Sequence, residues 1–275
     1  MKEVRKIWTY SFLNNIHYLT LSMFRSIGKI FLDLSQVAGS FCIFCLKAIL
    51  SLFTKSFYFR IFLRQLVFIG FYSLPVVGLT AIFSGAVLAL QSYTGFSRFS
   101  AENSIPMVVV LSITRELGPV LAGLMVSGRV GASIAAEIGT MRVTEQIDAL
   151  YTLATDPMKY LVTPRIIAGI ISLPCLVLVA DIIGVMGGYL IGVYKLGFNP
   201  TIYIINTLKY LEAIDVISGL IKSAVFGFII TAVSTYSGFY CEKGAKGVGK
   251  STTSAVVASA VLILLSNYIL TELFF

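Results

Sequence analysis

Three sets of residues in this chain have types and spacings that could do chemistry. Residues 244–251, GAKGVGKS, fit the GxxxxGK[ST] pattern in which backbone N–H groups, a lysine and a hydroxyl cradle nucleotide phosphates. Cys42 and Cys45 stand in a CxxC spacing, which serves redox chemistry in a thioredoxin-like domain or supplies half of a zinc site. Arg115, Glu116 and Lys222 are ionisable side chains set inside long apolar runs. An ion there costs at least about 2.5–3.5 kcal/mol on insertion scales, so such residues face a partner or water.

Context decides among the three. A phosphate loop lies between a buried strand and a helix of an α/β domain. Residues 244–251 instead fall in the turn between two apolar runs, with no acidic strand end to hold magnesium, so they read as a basic turn. The CxxC pair lacks two further ligands. Cys175 and Cys241 are isolated, and His17 is the single histidine, so no metal site and no Ser-His-Asp or Cys-His constellation is expected. No cofactor is called for. The intramembrane ions remain.

The elements that must position them follow from composition. The 275 residues are 57% hydrophobic and 12% charged, with a mean hydropathy of +0.90. An ordinary soluble domain is nearer a quarter charged, so most soluble enzyme folds are excluded. Five runs reach the ~20 residues that a helix needs to cross ~30 Å of hydrocarbon: 66–90, 105–136, 166–194, 216–241 and 251–271. The expected fold is an all-α integral membrane bundle of five spans, with residues 1–64 as a leader and 65–275 as the membrane domain. Short alternating segments are missing, which excludes a β-barrel.

Lys and Arg counts orient the bundle. Fifteen fall in the leader and in the second-to-third and fourth-to-fifth connections, against Arg98, Lys195 and Lys209 on the other side. The positive-inside rule then places the N-terminus in the cytoplasm and the C-terminus outside. The net charge of +8 is explained by topology and anionic headgroups, and nucleic-acid binding is unneeded. In the leader, Phe24, Ile27, Phe31, Leu34, Ala38, Phe41, Cys45 and Ala48 recur at three and four, with Arg25, Lys29, Asp33 and Gln36 between them. That periodicity predicts an amphipathic helix lying in the interface.

Arg115 lies ten residues in from Ile105 and Lys222 ten in from Glu212, which gives both a depth of ~15 Å. Two cations and one carboxylate at one level make a net positive girdle. Either it lines a water-accessible cavity where a lipid headgroup is held, or Glu116 pairs with Lys222 or Arg115 to lock two helices. On the basic side, residues 144–154 predict a short helix with Thr144 as its cap. Ile147, Leu150, Tyr151 and Ala154 share one face that must dock against the bundle or a partner. Gly184, Gly188 and Gly192 recur every four residues, a face for close helix contact within the bundle or across a dimer.

Four segments carry a resemblance: residues 114–119 (TRELGP), 128–148 (GRVGASIAAEIGTMRVTEQID), the Asp156-Pro157 turn and 247–253 (GVGKSTT). Together they closely resemble the MlaE family, permease subunits of ABC-type phospholipid transporters that maintain outer-membrane lipid asymmetry, with relatives in plastid envelopes. The resemblance runs from about Gln65 to the C-terminus. It implies a homodimer with an interfacial N-terminal helix, bound by a separate ATPase on one side and by lipid-carrying MCE-domain proteins on the other. It further implies that Glu145, Gln146, Ile147, Asp148 and Leu150 belong to a coupling helix seated in the ATPase. Arg115, Glu116 and Lys222 would then line a lipid cavity between protomers, in the inner membrane of a diderm bacterium or in a plastid inner envelope. The rivals are a lipid-modifying enzyme, for which no nucleophile with a base is visible, a self-contained pump, for which no ATPase domain is present, and a passive membrane scaffold.

Overall fold

A computed structural model describes residues 25, 28, 29, 32, 33, 35–51 and 58–274. Every regular element among them is helical. The chain divides into two compact units, Met1–Lys47 and Ala48–Phe275.

An apolar helix covers Ser35–Ser51. Phe24, Ile27, Phe31 and Leu34, four positions of the leader's expected stripe, lie outside the described residues. Within the helix, Val37, Ile43, Leu46 and Leu50 are exposed although they fall off that stripe, so it is apolar on more than one face. Arg25, Lys29 and Asp33, also exposed, precede it.

Five helices are long and apolar enough to span: Phe59–Phe99, Glu102–Val143, Met158–Tyr194, Ala213–Phe239 and Ala245–Phe274. Each contains or nearly contains one of the runs read from hydropathy, and each is longer. The fifth starts at Ala245, so residues 245–251 are its first turns and the connection shrinks to Tyr240–Gly244, with Gly244 at φ +90°. The phosphate-loop string is therefore helical where a turn was expected.

The third span is the centre of the bundle. Small residues let its neighbours approach to backbone distance: a Cβ on Gly187 would sit 2.2 Å from the Ile82 carbonyl oxygen, and one on Gly169 would meet the Gly227 carbonyl oxygen at 2.8 Å. The stripe Gly184, Gly188, Gly192 faces inward within the chain, against Ile113, Val109 and Tyr203 respectively. Polar residues of the fourth span, including Ser218, Ser223, Thr231 and Ser234, are buried, which a helix surrounded by other helices allows.

Irregular turns interrupt the helices, among them a π-turn, Met158–Val162, that opens the third span. The first span breaks between Ile69 and Leu74, where a 3-10 turn covers Phe71–Ser73. The second carries two π-turns, Ile113–Leu117 and Ser127–Gly131. Each π-turn holds ionisable residues of the span, as such insertions often do where a side chain must be re-aimed. A further helix, Pro200–Tyr210, lies in the connection between the third and fourth spans, which hydropathy left as a loop. Its start is set by Asn199, whose side chain accepts from the Thr201 and Ile202 N–H groups, followed by Pro200 in the first turn.

Candidate functional site

The first π-turn and the proline after it open a place for Lys222. Pro119 has no N–H, so the carbonyl four residues earlier, on Arg115, loses its helical partner. Lys222 Nζ donates to it at 2.9 Å, and also to Glu116 Oε1 at 2.7 Å and Thr271 Oγ1 at 2.8 Å. All three ammonium protons are placed, as a fully buried lysine requires. Thr114, whose carbonyl is also freed, lies over Gly219, where a Cβ would come within 2.4 Å of that oxygen. Only glycine lets the fourth span approach so closely.

Glu116 is held from the fifth span as well. Asn267 Nδ2 donates to Oε2 at 2.7 Å, and the Thr271 hydroxyl lies 2.9 Å from Oε1. Arg115 turns the other way: Nε and a terminal guanidinium nitrogen each approach Asp215 Oδ1 at 2.7 Å. Asp215 is completely buried at the start of the fourth span, and its Oδ2 accepts the Glu212 N–H at 2.9 Å in a reciprocal capping box. A helix N-terminus favours that carboxylate.

Asp215 changes the charge balance. Two cations now face two carboxylates, so the girdle is neutral where two cations and one carboxylate had been expected. Its exposure is one-sided: Lys222 and Asp215 are at 0%, while the Arg115 and Glu116 side chains keep 33% and 36%. The buried members fix the geometry, and the two accessible ones present a guanidinium edge and a carboxylate edge to whatever lies beside the bundle.

The second π-turn serves the break in the first span. Arg129 donates to Ser73 Oγ at 2.8 Å and the Phe68 carbonyl at 3.4 Å, with its guanidinium 5.5 Å from the Phe68 ring centre. Those acceptors are available because the α-helical ladder stops at Ile69.

At the opposite, basic end the short helix spans Gln146–Thr152. Thr144 does not cap it. Its hydroxyl donates back to the Thr140 carbonyl and closes the second span, while Glu145, at φ 59°, makes the left-handed turn that starts the new helix. Ile147 is buried in the bundle and Leu150 half-buried. Glu145, Gln146, Asp148, Tyr151 and Ala154 are exposed, as is Leu153 beyond the helix end, at 73%. The apolar face is thus divided: its first residue docks inside, its last residues face outward. Ion pairs surround it, Arg142 with Asp148 at 2.8 Å, buried Arg165 with Glu137 at 2.9 Å, and Lys250 with Glu242 at 2.6 Å.

Asp215, Asn267 and Thr271 escaped the sequence reading. The fourth apolar run begins one residue after Asp215, although Glu212 and Asp215 have capping-box spacing. Asn267 and Thr271 are four apart, polar residues sharing one face of an otherwise apolar last stretch.

The profile of the Permease MlaE family matches residues 62–273. The chain is 68% identical over 257 residues to a probable ABC transporter permease protein of Rickettsia bellii, covering 94% of this chain and 99% of the relative. It is 32% identical over 260 residues to the intermembrane phospholipid transport system permease protein MlaE of Haemophilus influenzae, with the same coverage of 94% and 99%. To the chloroplastic protein TRIGALACTOSYLDIACYLGLYCEROL 1 of Arabidopsis thaliana it is 39% identical over 229 residues, 83% of this chain and 65% of the relative. A profile match over most of the chain, spanning both π-turns of the second span and all four cluster residues, makes this integral membrane protein an ABC transporter permease of the MlaE family.

Proposed function

We propose that the chain is the permease that moves phospholipids between the inner and outer membranes of a diderm bacterium, working as a homodimer with a separate ATPase. One observation carries the reading: a membrane-embedded ion cluster, locked from behind by Lys222 and Asp215, presents Arg115 and Glu116 at an accessible face. A guanidinium matches a phosphate bidentately. The carboxylate beside it can accept from a headgroup donor.

The fifth span supports a second copy beside that face. Val257, Val261, Leu264, Leu265 and Tyr268 form an exposed apolar stripe, each more than half exposed, close in sequence to the Asn267 and Thr271 that hold Glu116. A partner chain laid along this stripe would put two such clusters on the walls of one cavity. At the basic end, exposed Tyr151 and Leu153 offer an apolar foothold for an ATPase, in the cytoplasm where ATP is available. The opposite end, outside, is where an MCE-domain lipid carrier would exchange cargo. The similarity to an intermembrane phospholipid transport permease supports the cargo class, and the chloroplastic relative keeps a plastid envelope as the alternative location.

The rival is a scaffold that anchors a lipid-handling complex without passing lipid. Reconstitution into proteoliposomes with the cognate ATPase separates the two. ATP-driven movement of labelled phospholipid that falls at least tenfold, about 1.4 kcal/mol, in Arg115→Ala supports transport through the cluster. Undiminished movement would favour the scaffold.

A further inference from the structure

The second π-turn of the second span holds a cation that the cluster does not use. Arg115 has Asp215 and Arg142 has Asp148, whereas Arg129, the third cation of that span, has no carboxylate partner among the described residues. Its Nη1 spends both protons on the break in the first span, one on the Ser73 hydroxyl and one on the Phe68 carbonyl, and the guanidinium packs over the Phe68 ring. Nε and Nη2 form the other edge of the guanidinium. They take no partner among the described residues, and neither is sealed in the protein. The side chain is half-buried.

The surroundings of that edge are open. Gly128, its chain neighbour, is exposed, and a Cβ there would meet nothing within 4 Å. Met125 and Ser133 lie four residues to either side of Arg129, on its face of the helix, and both are exposed. Depth follows from the partners on the first span. Phe68 and Ser73 lie two and seven residues inside the apolar run 66–90, which is ~3 Å and ~10 Å from its basic end. Arg129 therefore stands where the hydrocarbon of one leaflet gives way to its phosphates, with Ser133 toward the phosphates and Met125 toward the acyl chains. An ion at that level needs a counter-charge or water. A phosphodiester supplies the counter-charge together with two oxygens that match a guanidinium edge bidentately. The bilayer delivers such a group at this depth, whereas a soluble anion would have to enter the hydrocarbon to reach it.

We propose that the Nε–Nη2 edge of Arg129 is a phosphate site for a phospholipid of the leaflet at the basic end. The phosphodiester accepts both guanidinium hydrogens, the Ser133 hydroxyl donates to the same headgroup, and an acyl chain lies along Met125. Arg115 and Arg129 are fourteen residues apart, ~21 Å along the span, so the site is separate from the Arg115–Lys222 cluster. It asks only for a bilayer around the chain and does not rest on net transport.

The test places a photo-crosslinker beside the edge, Met125→p-benzoylphenylalanine, in the full chain in nanodiscs. The lipids are phosphatidylglycerol and the phosphate-free digalactosyldiacylglycerol, with matched acyl chains and in equal parts. Ile171→p-benzoylphenylalanine is the reference, exposed on the third span at the same level, since the hydroxyl of neighbouring Ser172 donates to the Leu66 carbonyl. Mass spectrometry of the adducts is expected to show phosphatidylglycerol enriched at position 125 by at least about threefold over its share, and both lipids in proportion at position 171. Arg129→Gln should return position 125 to proportion. Arg60→Gln with Arg64→Gln, which removes two exposed cations of the first span, should leave the enrichment in place. Proportional adducts at 125 in the parent, equal enrichment at 171, enrichment that survives Arg129→Gln or vanishes with the Arg60 and Arg64 substitutions, or capture of a second copy of the chain in place of lipid would each overturn the proposal. Because the readout is lipid capture without ATP, its failure leaves the transport assay with Arg115→Ala untouched.

Discussion

The two ends of the bundle use the same residue types to opposite effect. At one end Lys222 and Asp215 are sealed from solvent, and the three ammonium protons of the one and both carboxylate oxygens of the other have named partners. At the other, Lys250 and Glu242 are 71% and 68% exposed, and their bond closes a surface turn. A pair in water gains little from contact because water already solvates each ion, whereas a buried charge without its partner has nothing to replace that solvation. Nearly equal bond lengths, 2.7 Å and 2.6 Å, therefore stand for very unequal consequences.

The largest expected effect breaks the buried side alone. Lys222→Ala leaves the Arg115 carbonyl unpaired, takes the cation from Glu116 and empties a buried site, and should lower unfolding stability in detergent by about 3–5 kcal/mol. A loss below about 1 kcal/mol would mean that the cluster is hydrated and the contrast false. Asp215→Asn keeps shape but removes the charge under Arg115, and the weakened charged hydrogen bonds should cost about 1.5–3 kcal/mol in the same measurement. Arg165 sharpens the comparison from the basic end, because it is 3% exposed while its partner Glu137 is 51% exposed. Arg165→Met frees a carboxylate that water can reach, so an intermediate loss of about 1 kcal/mol is expected. The smallest effect belongs to Glu242. Its bond with Lys250 holds the carboxyl below the ordinary carboxylate range. Stability from such a group is present above its unfolded pKa and lost as pH falls through the folded one. With both partners exposed, Glu242→Gln should leave the unfolding midpoint unchanged at neutral pH, and thermal scans of both forms check it.

Hydropathy made the five spans legible because a crossing helix must be apolar over a length that few other structures need. It also placed Arg115 and Lys222 at one depth, by counting turns from the same side. What it could not supply was the partner on each ion. Asp215 sits where an apolar run fades into a connection, so a run-based boundary excluded it, although its capping spacing with Glu212 was in view. The π-turns are invisible to periodicity, since one extra residue in a wholly apolar helix disturbs no pattern; Pro119 was the one local hint. Hydropathy does not mark the helix Pro200–Tyr210 despite its Asn-Pro start, because eleven residues cannot cross a bilayer. Thr144 failed as a cap because its hydroxyl had a nearer acceptor on the preceding turn, at Thr140.

The central claim is that the ions of the cluster act on lipid and do more than hold helices together. The double substitution Glu116→Gln with Lys222→Met separates these roles, because it removes both charges of the buried pair and leaves neither unmatched. Measured in proteoliposomes with the cognate ATPase, the variant should keep an unfolding midpoint close to the parent while ATP-driven phospholipid movement falls at least tenfold, about 1.4 kcal/mol. Parental rates of lipid movement in a stably folded double variant would contradict the account and leave the cluster as a structural lock.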